Sequence, residues 1–102
     1  MIRHCVFVKF RSSVDADERA AIFAQLAALE TTVDGMLSFA AGPNASPEGL
    51  GQGFAHGFIA DFRDAAARDA YLADADHARA GGRLVAALEG GLAGLLVFDL
   101  EF

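Results

Sequence analysis

A chain of 102 residues that is 54% hydrophobic and carries a formal charge of −6 is long enough for one core and too short for a second. The acidity repels a phosphate backbone and argues against a nucleic-acid partner. Its wholly apolar runs fall far short of the roughly 20 residues a membrane helix needs, and no charged start followed by an apolar leader opens the chain, so a single cytoplasmic domain without a membrane partner is expected.

Nine Phe, one Tyr and no Trp, with a mean hydropathy of +0.33, leave apolar surface for a partner or a cavity. The opening IRHCVFVKF (2–10) is β-branched and aromatic on both parities, which predicts a strand with two usable faces. Cys5, the only cysteine, has no partner for an internal disulfide and is expected to be a buried, inert thiol. Asp15 with Glu18 reads as a capping box. Ile22, Phe23, Leu26, Leu29 and Val33 then recur at helical spacing, predicting a helix over about 15–32 that Gly35 terminates. MLSFAAG (36–42) reads as a second strand and PNASPEGLGQG (43–53) as a loop. FAHGFIADF (54–62) reads as a third strand. Asp64 is expected to cap a short helix through Leu72, and Asp76 a further helix over about 77–90 that Gly81–Gly82 weakens. LLVFDLEF (95–102) closes the chain as a fourth strand.

The order β-α-β-β-α-β is the split βαβ pattern of an α+β, ferredoxin-like fold with an antiparallel four-stranded sheet. Helices cover one face of such a sheet, yet both strand parities are bulky here. A symmetric homodimer whose two sheets pack into an α/β barrel accounts for the second apolar face.

Four segments, IRHCVFVKF, GPNASPEGLGQGFAHGF, YLADADHA and LLVFDLEF, resemble in order and spacing the stress-responsive A/B-barrel (Dabb) family of dimeric ferredoxin-like proteins. That resemblance implies the dimeric barrel but no single activity. Within the family the clearest enzymes are polyketide cyclases of the olivetolic acid type, which are cofactor-free and catalyse intramolecular aldol closure between the sheet and the helices; the pocket positions here resemble theirs. This likeness implies a catalytic Tyr71 and His77, an aspartate near the histidine at Asp99, and pocket histidines at His4 and His56. The histidine and proline usual just before His77 are Asp74 and Ala75 here, and a pocket tyrosine of the first helix is Leu26.

Such chemistry needs a base for a proton α to a carbonyl, a donor for the developing enolate oxygen, and a dry pocket that folds the substrate. His77 is the candidate base and the Tyr71 hydroxyl the candidate donor, with Val6, Val8, Phe23 and Phe58 expected beside His4 and His56 as ligand-binding residues. A helix N-terminus would keep His77 neutral, whereas an aspartate partner would stabilise its imidazolium. Six residues correspond to about 600° of helical rotation, so Tyr71 and His77 meet only if the ADAD segment between them turns the chain. No metal is expected, because the three histidines lack ligand spacing; no phosphate loop motif appears, and no cofactor is expected. The reading is therefore a homodimer with a small organic ligand, acting as a cofactor-independent cyclase, isomerase or lyase. A non-catalytic stress-associated dimer is the alternative, as is a cofactor-free monooxygenase of the same fold, although the Asn and Trp placements usual in such oxygenases are missing.

Overall fold

The computed structural model describes all 102 residues. Strand β1 (Ile2–Val8) is followed by helix α1 (Ala16–Ala27), which tightens into a 3₁₀ turn over Ala28–Thr31. Strands β2 (Met36–Pro43) and β3 (His56–Phe62) come next, then helices α2 (Ala65–Ala73) and α3 (Ala75–Ala86), a second 3₁₀ turn over Gly91–Gly94, and strand β4 (Leu95–Glu101). The sheet order is β2-β3-β1-β4 and every pairing is antiparallel, so the expected α+β, ferredoxin-like architecture is present.

Local chemistry explains the element ends. Asp15, in extended backbone, accepts the Glu18 peptide N–H at 2.8 Å, which is the first half of the capping box. The second half is absent: the Glu18 carboxylate reaches across to Arg83 of α3 at 2.7 Å and ties the two long helices together. Gly35 has φ +83°, and a Cβ there would lie 2.6 Å from the Ala67 Cβ; only glycine lets the chain turn this tightly beneath α2. Strand β1 stops at Val8 rather than Phe10, because Lys9 exchanges backbone hydrogen bonds with Gly94 and Glu89 and turns away from its neighbour β3. Phe10 keeps only an isolated bridge to Leu88. The third strand likewise begins at His56, since the Phe54 N–H closes a turn onto Gly51 at 2.9 Å.

Register fixes the two faces. His4 lies opposite Ala60 and Asp99, Val6 opposite Phe58 and Val97, and Val8 opposite His56 and Leu95; their side chains share the helix side of the pleat. Ile2, Val6, Val8, Phe58, Ala60 and Phe62 from this side pack against Ile22 and Leu26 of α1, Tyr71 of α2 and Leu84 of α3 to form the core. The opposite face carries Phe7, Ile59, Leu96, Phe98 and Leu100, all exposed in the single chain, Phe98 by 58%. Cys5 shares that uncovered face and is half-buried, not enclosed in the core as its apolar neighbours suggested. What burial it has still pushes its thiol pKa up. Gly57 opens room on this face for Phe7, whose Cδ1 would stand 2.8 Å from any Cβ there.

Candidate acid–base site

The Tyr71–His77 pair depends on one residue between them. Asp74 has φ −69° and ψ 134°, an extended conformation that ends α2 and starts α3. Its peptide N–H still donates to the Tyr71 carbonyl at 3.2 Å, while its Oδ1 accepts the N–H groups of Asp76 at 2.8 Å and His77 at 3.1 Å. Asp74 therefore closes one helix and caps the next. The sequence reading gave the cap to Asp76; that carboxylate instead pairs with Arg79 one turn along α3. The turn required between tyrosine and histidine is present, and their ring centroids are 4.2 Å apart at an interplanar angle of 48°.

A second histidine joins them from the sheet. His4, 5% exposed, has its ring centroid 5.8 Å from that of Tyr71 and is flanked by Phe58 and Phe62. Its Nδ1 is 2.6 Å from Asp99 Oδ1. Asp99 thus partners His4, not His77 as the sequence reading supposed. The antiparallel register sets His4 and Asp99 directly opposite on β1 and β4, whereas His77 comes from a helix across Tyr71. The other carboxylate oxygen, Asp99 Oδ2, accepts from Arg68 at 2.7 Å. Arg68 escaped the sequence reading, although it precedes Tyr71 by three residues and so lies on the same side of α2.

Electrostatics divides the roles. Burial pushes Asp99 upward, but the hydrogen bonds from Arg68 and His4 outweigh it and hold the carboxyl below its ordinary range. An ionised Asp99 only accepts, so His4 donates from Nδ1; in a neutral imidazole that leaves Nε2 as an acceptor. His77 is held below the usual imidazole value first by burial and then by the charge His4 can carry, with the Leu72 carbonyl and Asp74 pulling partly back. It is consequently neutral at pH 7. Burial raises the Tyr71 hydroxyl pKa to about 12, leaving it a protonated donor. Tyr71 is fully buried, and its hydroxyl has no hydrogen-bond partner.

His56 does not join this group. It pairs with Val8, four residues along β1 from His4, or about 13 Å at a strand's rise, and its ring packs on Phe10 with centroids 5.4 Å apart. Phe23 stands at that same end, with centroids 5.7 Å from Phe10 and 6.2 Å from Phe58. Phe58 links the two ends of the core, and Val6 and Val8 are buried along it. A concavity lies elsewhere: a groove of about 700 Å³ beneath the 43–53 loop, bordered by Phe7, Leu50, Phe54, His56, Ile59 and Leu96. No group of three or more His, Cys, Asp or Glu side chains is arranged to hold a metal ion, and no helix is long and apolar enough to cross a membrane.

Comparison with known proteins gives this geometry a context. The family described as the stress responsive A/B barrel domain matches residues 2–102. No curated protein matches the chain. Among solved structures, a dimeric ferredoxin-like protein of unknown function from Jannaschia sp. CCS1 is 36% identical, with 99% of this chain and 98% of that one covered at a TM-score of 0.92. An Arabidopsis thaliana protein is 24% identical, covering 100% and 95% of the two chains at a TM-score of 0.90. A hydroxynitrile lyase from Passiflora edulis is 20% identical, covering 97% and 90% at a TM-score of 0.84; at that identity the likeness is one of fold.

Proposed function

The chain belongs to the stress-responsive A/B barrel domain family, and from that premise we propose that it is a homodimeric, cofactor-independent acid–base catalyst acting on a carbonyl-containing small molecule. The observation that carries this reading is the buried, unpartnered hydroxyl of Tyr71 between two imidazoles. A buried donor left unpaired costs about 1–3 kcal/mol, which a ligand oxygen accepting from it would recover. His77, neutral and 4.2 Å from the tyrosine ring, is placed to take a proton α to a carbonyl, and Tyr71 to donate to the enolate oxygen that forms. His4, oriented by Asp99, offers Nε2 as a second proton acceptor or relay. Catalysis of carbon–carbon bond closure or cleavage would use the same three groups, and the lyase among the structural neighbours fits that class.

Tyr71 has no exposed surface, so on this reading a ligand reaches its hydroxyl only when the packing around it opens. Homodimerisation is supported by the uncovered apolar face and by neighbours described as dimeric. We place the protein in the cytoplasm.

A thermal-shift screen with β-keto acids, polyketide mimics and aromatic acids tests the reading. We expect a subset of carbonyl compounds to raise Tm and His77→Ala to abolish that rise. Hits that bind His77→Ala and wild type equally would place the ligand outside this site and contradict the assignment.

A further inference from the structure

Helix α2 presents Arg68 and Tyr71 one turn apart toward the site. Tyr71 brings the hydroxyl. Arg68 brings a guanidinium that is only partly exposed, with its Nη1 2.7 Å from Asp99 Oδ2 and its Nε 2.9 Å from Asp69. Asp99 in turn holds His4 Nδ1 through its other oxygen at 2.6 Å. The carboxylate therefore bridges a helix and the central strand, with one oxygen for each.

We propose that Arg68 is a positioning residue of this site, pinning Asp99 so that His4 is fixed as the Nδ1–H tautomer with Nε2 left free. The proposal rests on the acid–base reading only in the use made of His4 Nε2; the tautomer itself is a property of the protein without ligand. The reason a pin is needed lies in the strand. β4 is at the edge of the sheet, and Val97, two residues from Asp99 on the same side, is 52% exposed. An unpinned Asp99 side chain can rotate from His4 toward water. Arg68 opposes this with a charge-assisted hydrogen bond, roughly twice as strong as a neutral one, and the second acid, Asp69, steadies the guanidinium from its outer side. An imidazole can present either nitrogen, and the hydrogen bond at one decides what the other does. On this account Arg68 acts on the chemistry without touching the reacting atoms.

The test is NMR on the ligand-free protein, reading the two ring-nitrogen shifts of His4 at neutral pH in wild type, Arg68→Gln and Arg68→Met. Arg68 is partly exposed on α2, and both substitutions preserve helix propensity; amide spectra report whether each variant keeps the fold. Wild type is expected to show a protonated Nδ1 and an unprotonated Nε2. In the variants the Nε2–H tautomer should gain about tenfold in population, the loss expected for one charged hydrogen bond. Arg68→Lys, which retains the charge at a single point, should recover part of the wild-type pattern. Unchanged His4 nitrogen shifts in either folded neutral variant would overturn the proposal, as would a wild-type His4 carrying its proton on Nε2. A failure of the ligand screen with the His4 shifts moving as described would instead reject the catalytic reading and leave Arg68's role intact.

Discussion

Two imidazoles and a phenol lie together here, His4 and Tyr71 buried and His77 half-buried, and each is tuned by different neighbours. His77 is kept below its ordinary pKa mainly by burial, as is His56 at the other end of the core. A histidine whose folded pKa is depressed binds fewer protons folded than unfolded, so its penalty is absent above the unfolded value of 6.5 and grows as pH falls below it. Urea midpoints are therefore expected to drop between pH 7 and pH 5, and the drop should shrink in the His56→Gln, His77→Gln double variant; an identical drop in that variant would remove these imidazoles as its cause. Asp99 acts in a lower window. Its folded value lies below 3.8, so its stabilisation is present above that pH and is lost as pH falls through the depressed value. The sequence made the Tyr71–His77 spacing readable and the partner of Asp99 unreadable: only strand register, unknown until β1 and β4 are aligned, sets Asp99 opposite His4.

At the scale of elements, the α2–α3 junction decides whether the site exists. Asp74 makes three of the hydrogen bonds there, one from its own N–H and two to its Oδ1, and it replaces the histidine that the cyclase-like pattern has at this position. Losing the cap in Asp74→Ala should cost about 1 kcal/mol. It should also broaden the Tyr71 and His77 ring resonances as the two helices part; sharp, unshifted ring signals would show that the junction does not depend on Asp74. The strands and helices were legible because hydrophobic periodicity and capping residues such as Asp15 and Asp64 are local signals. Their ends were less so. Asp76 has the residue type of a cap, but Asp74 has the extended backbone, and composition does not distinguish two aspartates two positions apart. Arg68 went unseen for a related reason, since a basic residue on a helix reads as solvated surface until the carboxylate it meets is placed.

For the whole molecule, the apolar balance was readable from the start and acquires a location in the structure: helices cover one face, and Phe7, Ile59, Leu96, Phe98 and Leu100 occupy the other. A contiguous apolar surface of that kind is a usual sign of an interface. Phe98→Asp puts a charge on it, and light scattering at micromolar concentration should then show a monomer where wild type shows a dimer. A monomeric wild type would remove the barrel from the account. Dimerisation through this face would leave the His4–Tyr71–His77 group, on the helix side, within each protomer.

On the proposed function, Tyr71 and His77 together move a proton next to a carbonyl. Deuterium incorporation α to the carbonyl of a β-keto acid that binds in the ligand screen, followed by NMR in heavy water with wild type and Tyr71→Phe, tests it without knowledge of the natural product. Protein-dependent exchange by wild type is expected, with a loss of about 10²-fold or more in the Phe variant and the fold retained. Exchange by Tyr71→Phe at the wild-type rate, or none above buffer by wild type, would contradict it.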